Sequence, residues 1–195
     1  MDLLFQNRSS LNQLSTPFGT PLHAACRAPQ TEAAKKLLEQ GADPCVRDQR
    51  LRTPLHEAAL VKGGLDQVIR QILQLRPELV DKLDNDGNTA LNLASIAGNT
   101  NVVKALLDHN ADCGIGDKFG MQPLFRAIGR RHEQIIIELL KNGKVDINAT
   151  DFFGRTVLHE ACIIGFLESV DLLLIQPGIQ INALDNAKFP PLYKA

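Results

Sequence analysis

Five histidines, four cysteines and an evenly spread series of aspartates are the side chains of this 195-residue chain with chemistry to offer. Acid–base catalysis sets two such groups against each other, and a metal site needs ligands at a fixed spacing. Neither arrangement is present. Cys26, Cys45, Cys113 and Cys162 lie 19, 68 and 49 residues apart, with no C-x-x-C pair and no histidine joining them in a zinc pattern. They read as small, reduced, semi-buried residues, and no disulfide is expected. No serine sits in a nucleophile elbow, and no cysteine has a histidine partner at motif spacing. Lys62-Gly63-Gly64 lacks the frame of a phosphate-binding loop. Asp48, Asp84, Asp117, Asp151 and Asp185 recur singly, not as a pair of carboxylates. Within these residues no enzymatic activity, cofactor or metal is expected.

Composition narrows the remaining classes. Hydrophobic residues make up 44% of the chain, charged residues 22%, and the formal net charge is -1. That balance has enough apolar surface to order a chain, and it lacks the basic footprint that nucleic acid requires. Aromatics are 5%, which is poor material for stacking bases. Apolar runs such as Ile135 to Ile137 and Leu172 to Ile175 are too short to cross a bilayer. The first residues show no basic stretch followed by an apolar one, so no secretory signal is read there. A soluble, cytoplasmic, monomeric protein is expected.

The elements that position these residues come from internal repetition. Thr20-Pro21-Leu22-His23-Ala24-Ala25 returns as Thr53-Pro54-Leu55-His56-Glu57-Ala58-Ala59 and as Thr89-Ala90-Leu91-Asn92-Leu93-Ala94. Further copies are Gln122-Pro123-Leu124-Phe125-Arg126-Ala127, Thr156-Val157-Leu158-His159-Glu160-Ala161, and a cut-off Pro190-Pro191-Leu192-Tyr193-Lys194-Ala195. The steps are 33, 36, 33, 34 and 34 residues, and an aspartate stands five residues before the Thr position in every copy after the first. Threonine serves as a helix N-cap and proline suits the first helical position. The small alanine pair permits close approach of neighbouring first helices, so Cys26 and Cys162 in that slot read as packing residues. Gly98 and Gly165 end first helices, and Gly41 and Gly143 end second helices. The second helices carry apolar residues at i, i+3 and i+4: Val68, Ile69, Ile72 and Leu73 in one, and Val102, Val103, Ala105, Leu106 and Leu107 in the next. Ile135, Ile136, Leu139 and Leu140, then Val170, Leu172, Leu173 and Leu174, continue the pattern. Asp84 to Gly87, Asp117 to Gly120 and Asp151 to Gly154 are turns in which aspartate bonds backbone and glycine takes positive φ.

With its T-P-L-H-x-A-A-x-x-G and L-L-x-x-G-A-D segments at a period of about 33 residues, the chain resembles the ankyrin repeat family from about Ser15 to Ala195. The resemblance implies an all-α repeat solenoid of helix-turn-helix units joined by short β-hairpin loops, in which each unit relies on its neighbours to bury its apolar face. It also implies that His23, His56 and His159 bond backbone between units. The repeats are expected at 15–47, 48–83, 84–116, 117–150 and 151–184, with a partial copy at 185–195. Residues 1–14, with Leu3, Leu4, Phe5, Leu11 and Leu14, form a cap in preference to a tail. The partial copy is either a terminal cap or the mark of a longer protein, the second being preferred.

Departures from the repeat point to function. Repeat 4 replaces the threonine by Gln122, the histidine by Phe125, the second alanine by Ile128 and the glycine by Arg131. Arg126, Arg130, Arg131 and His132 then read as a positive patch for an acidic partner, or as a solvated face over rearranged packing. Lys62-Gly63 reads as a neutral insertion. In the resembled family, hairpin tips and first helices line the concave face that meets partners. The early tips are polar, whereas the later ones carry Lys118, Phe119, Met121, Phe152, Phe153 and Arg155. The expected partner site therefore comprises Phe119, Met121, Phe152 and Phe153 as anchors, with Arg126, Arg130 and Arg155 around them and Ile163 and Ile164 beside them. The competing reading has one phenylalanine of each pair folding back on its own hairpin. The function expected is a protein-protein interaction module; the alternative is a targeting domain of a larger enzyme or secreted bacterial effector.

Overall fold

Each first helix begins where a threonine or glutamine in extended conformation is followed, in three of five copies, by proline. In the computed structural model, which describes residues 11–14, 18–63 and 65–194, the described residues form ten helices in five pairs. The pairs are α1 (Pro21–Arg27) with α2 (Thr31–Glu39), α3 (Pro54–Leu60) with α4 (Asp66–Leu75), and α5 (Ala90–Ala97) with α6 (Thr100–Asp108). Then follow α7 (Pro123–Gly129) with α8 (Glu133–Asn142) and α9 (Val157–Ile163) with α10 (Leu167–Leu174). Helices of seven to ten residues are marginal alone in water, so packing holds them. The expected cap residues Leu3, Leu4 and Phe5 lie outside the described residues; Leu11 is half-buried and Leu14 exposed.

The chain divides into two compact units, Met1–Ala111 and Asp112–Ala195. In the first, α1 packs on α3 and α3 on α5, while α2 packs on α4 and α4 on α6. In the second, α7 packs on α9 and α8 on α10. Both build the same core. Leu22, Leu55, Leu91, Leu124 and Leu158 occupy one repeat position and are 0 to 3% exposed. Burying one leucine contributes about 1.5–3 kcal/mol. Beside four of them lies a buried small pair, such as Ala58 and Ala59 or Ala161 and Cys162, which admits the neighbouring helix; in repeat 4 the pair is Ala127 and the larger Ile128, also buried. Phe125, buried in the histidine slot of repeat 4, fills that space with a ring that makes no hydrogen bond.

The three repeat histidines stitch neighbouring segments. Nδ1 of His23, His56 and His159 accepts the backbone N–H of Thr20, Thr53 and Thr156 at 3.1, 3.2 and 3.1 Å. A main-chain N–H donates only, so the ring proton must sit on Nε2. Nε2 then donates to the carbonyls of Arg52, Lys82 and Phe189 at 3.0, 2.9 and 3.0 Å. Burial pushes the pKa of His23 and His56 below the usual imidazole value.

The hairpin loops contain no strand among the described residues; Thr150 and Thr156 form an isolated antiparallel bridge. Each is closed instead by an aspartate whose N–H bonds the carbonyl four residues on, as from Asp117 to Met121 at 3.1 Å and from Asp151 to Arg155 at 3.0 Å. Glycines 87, 120 and 154 take the expected positive φ, as do Gly41, Gly98, Gly143 and Gly165 at helix ends; Arg131 holds the left-handed slot at φ 57 in repeat 4. The last copy differs from expectation. Pro191–Lys194 is a 3-10 turn closed by the Tyr193 N–H on the Pro190 carbonyl. Leu192, in the slot buried five times before, is 74% exposed. In α10 only Leu173 of the four expected apolar residues is buried, because α10 has α8 on one side and no second helix on the other among the described residues.

Cysteine burial makes one prediction. Cys26 is buried and its thiol is pushed up to about 12, Cys113 and Cys162 are buried, and Cys45 is half-buried. A thiol with that pKa is roughly one part in ten thousand thiolate at pH 8, and only the thiolate reacts. An aromatic disulfide reagent is expected to label Cys45 first in folded protein, and Cys26 only on unfolding. Peptide mapping that finds Cys26 labelled first would contradict this core.

Candidate functional site

The second unit presents its hairpin tips on a rigid frame. The Oδ1 atom of Asp117 accepts the N–H groups of Phe119 and Met121 at 2.8 and 3.2 Å. Asp151 does the same for Phe153 and Arg155, both at 2.9 Å, and Asp185 for Ala187 and Phe189, both at 2.9 Å. All three aspartates are buried. One short acceptor thus fixes two donors of a turn, which is why aspartate suits this position.

Neighbouring tips are joined by main chain. The Phe152 N–H donates to the Phe119 carbonyl at 3.0 Å, and the Asn186 N–H to the Phe153 carbonyl at 3.0 Å. Asn186 Nδ2 adds a bond to the Phe152 carbonyl at 3.2 Å. The approach is close enough to require glycine. A Cβ on Gly120 would stand 2.7 Å from the Phe152 ring, and one on Gly154 would stand 2.4 Å from Asn186 Oδ1.

On this frame Phe119, Phe152 and Phe153 are 45, 70 and 57% exposed. Phe152 rests one edge on Gly120, Phe153 lies 5.2 Å from the Arg155 guanidinium, and Phe119 lies 5.4 Å from the Lys118 ammonium. None of the three rings is buried. A cleft of about 290 Å³ opens between Phe153 and Arg155 on one side and Asp185, Asn186 and Ala187 on the other.

The arginines correct the expectation of a positive patch. Arg126 Nε donates to Asp117 Oδ2 at 2.7 Å, and a second nitrogen of Arg126 bonds the same oxygen. Arg155 bonds Asp151 Oδ2 at 2.9 Å through Nε and 2.7 Å through Nη2, and reaches Glu160 at 3.4 Å. Arg131 bonds the Ile164 carbonyl and lies 5.5 Å from the Phe166 ring. Of the expected cluster, Arg130 alone is exposed with no ion pair or hydrogen bond from its guanidinium. The charge of this surface is largely spent inside the protein.

Comparison with known proteins places the fold. The profile of ankyrin repeats (three copies) matches residues 1–76, 22–117, 59–151 and 109–185. The chain belongs to the ankyrin repeat family. It is 34% identical over 142 residues to neurogenic locus notch homolog protein 1 of Mus musculus, covering 73% of this chain and 6% of that protein. It is 32% identical over 182 residues to the human transient receptor potential cation channel subfamily A member 1, covering 90% of this chain and 16% of the channel. NAD-dependent deacetylase sir2B of Dictyostelium discoideum is 25% identical over 206 residues, covering all of this chain and 26% of the deacetylase. The matched stretch is therefore a small part of each of these relatives. None of the described helices is long and apolar enough to cross a membrane.

Within the ankyrin frame, the sequence-expected anchors divide. Phe119, Phe152 and Phe153 share the tip row, whereas Met121 is half-buried in the frame position before the first helix. Ile163 is 37% exposed and Ile164 half-buried at the end of α9. Sequence reading missed Asp185, Asn186 and Ala187, which complete the cleft beside Phe153. These residues occupy the same tip register as Asp151, Phe152 and Phe153, one repeat later.

Proposed function

We propose that this ankyrin chain is a non-enzymatic protein-binding module whose partner lies on the tip row of the second unit. Ankyrin repeats generally mediate protein-protein interaction. The observation that carries the reading is three adjacent exposed phenylalanines held by main-chain bonds on buried aspartates. Clustered exposed aromatics mark contact sites, and aromatic anchors dominate interface energetics. Because Arg126 and Arg155 are neutralised internally, the partner offers an apolar segment to the phenylalanines and the adjoining cleft, not an acidic one to the arginines.

The test is affinity capture with mass spectrometry, comparing the native chain with a Phe152→Ala/Phe153→Ala variant. Loss of two such anchors is expected to weaken partner capture by about thirtyfold or more, at about 2 kcal/mol or above. The melting temperature should hardly move, since both rings are largely exposed. Unchanged capture by the folded variant would remove the tip row from the interface.

We further infer a monomer, and a place of action in the cytoplasm, the latter supported by four cysteines present as thiols and not as disulfides. A second reading keeps this surface and makes it the targeting part of a larger protein. It is favoured by the relative that is a deacetylase, of which the matched stretch forms 26%. Transcript sequencing across the 3' end of the coding region distinguishes the two.

A further inference from the structure

The first unit holds an aspartate that its own repeat pattern leaves short of one partner. In three hairpins the aspartate uses Oδ1 for the turn and Oδ2 for a guanidinium. Asp84 Oδ2 accepts Arg52 Nε at 3.2 Å, Asp117 Oδ2 accepts Arg126 Nε at 2.7 Å, and Asp151 Oδ2 accepts Arg155 Nε at 2.9 Å. Asp48 uses Oδ1 in the same way, accepting the N–H groups of Arg50 and Arg52 at 2.8 and 2.9 Å. Its Oδ2 receives no guanidinium among the described residues, although the residue is 5% exposed. That oxygen is not sealed in the core but opens to solvent, where a donor from outside the chain can reach it.

The chain cannot supply the partner from any of the three places that supply it elsewhere. The position corresponding to Arg52 in the preceding repeat is Gly19, whose φ is +108 and whose Cβ would stand 2.5 Å from His23 Cγ. The position corresponding to Arg126 is Glu57, a buried acid. The position corresponding to Arg155 is Arg52 itself, which is turned to Asp84 and lies 3.7 Å from Glu57.

Asp48 lines a cleft of about 380 Å³ together with Phe18, Arg27, Arg50, Arg52 and Glu57. Arg27 is engaged: Nε bonds Glu57 at 3.0 Å and Nη2 bonds the Phe18 carbonyl at 2.8 Å. Arg27 and Arg52 are balanced by Glu57 and Asp84, so the charges left in the cleft are Asp48 in its wall and Arg50, exposed and with no guanidinium partner. We propose that this cleft receives an arginine side chain from a protein partner on Asp48, with an adjacent acidic residue of that partner on Arg50. The guanidinium would complete at Asp48 the arrangement already present at Asp84, Asp117 and Asp151, where planar N–H donors match carboxylate geometry. The site lies in the first unit and does not rest on the tip row of the second.

The probe is acetyl-Arg-Glu-amide, titrated into the native chain while the backbone amide resonances of Arg50 and Arg52 are followed by NMR. Their N–H groups bond the other oxygen of Asp48, so they report on occupation of its carboxylate. Saturable shifts are expected, at least tenfold weaker with acetyl-citrulline-Glu-amide, which has the same shape without the charge. Asp48→Asn keeps the turn-forming oxygen and is expected to weaken binding by a similar factor. Equal binding of the citrulline probe, or no saturable shift at all, overturns the proposal. So does undiminished binding by a folded Asp48→Asn variant. If that variant does not fold, the comparison of the two probes on the native chain decides alone.

Discussion

Replacing Asp151 by alanine should destabilise the second unit by about 3 kcal/mol, the low end of what breaking a buried charge pair costs. The carboxylate is buried and does two things at once. Oδ1 holds the N–H groups of Phe153 and Arg155, and Oδ2 holds the Arg155 guanidinium. Hydrogen bonds to a charged acceptor contribute about 1.5–3 kcal/mol each, though not additively. The low end applies because Arg155 keeps Glu160 and some exposure to solvent. Asp151→Asn retains an oxygen for the turn and loses the charge, so about 1 kcal/mol is expected there. Urea unfolding followed by circular dichroism measures both. A loss below about 1 kcal/mol for Asp151→Ala would mean that the hairpin is held by something other than its aspartate. Because Phe152 and Phe153 ride on this turn, the same variant should also lose partner capture while the fold persists.

The second large effect is on pH. His23 and His56 have pKa values lowered by burial. The geometry gives a further reason: a proton on Nδ1 would face the Thr20 or Thr53 N–H donor head-on. The unfolded chain therefore takes up protons that the folded chain refuses. Stability from these two residues is complete above the unfolded value of about 6.5 and falls as pH drops through it toward the folded values. Two such groups give a slope of up to about 2.7 kcal/mol per pH unit. The urea midpoint should fall clearly between pH 7.5 and pH 5.5. Repeat 3 already carries Asn92 in the histidine slot, with its N–H on Thr89 Oγ1 at 3.2 Å. A His23→Asn/His56→Asn variant should accordingly be flatter over this range. Equal slopes in the two proteins would assign the acid sensitivity elsewhere.

What sequence reading recovers here is what local chemistry determines. Each Thr-Pro-Leu segment starts a helix because cap, ring and apolar residue act within four positions, and the leucine is buried in every complete copy. The aspartate turns were readable for the same reason, since both acceptor and donors lie within one hairpin. The fate of the arginines was not. Arg126 meets Asp117 nine residues earlier, and Arg52 passes over its own hairpin to reach Asp84. Only the stacked geometry shows which carboxylate is nearest, so a run of arginines in sequence suggested free positive charge that the fold consumes. The cleft beside Phe153 was hidden likewise, because Asn186 lies 33 residues away and meets Phe153 only through stacking of hairpins.

The hairpin frame has a consequence for how such a chain changes over generations. Each turn takes one side chain, the aspartate, and draws its other bonds from the main chain. Within the turn itself the residues one and two places after that aspartate are held by their backbone, which is why Gln49 and Arg50, Asn85 and Asp86, and Phe152 and Phe153 all occupy the same frame, with the Asn85 side chain adding a bond to the Gln49 carbonyl of the neighbouring tip. Drift at those letters alters what is recognised and leaves the stack intact. Drift at the aspartate loosens the turn and displaces whatever residues ride on it. Inheritance of the scaffold and invention of a new partner are thus separated within a segment of five residues, and lineages carrying these repeats can diversify in one without losing the other.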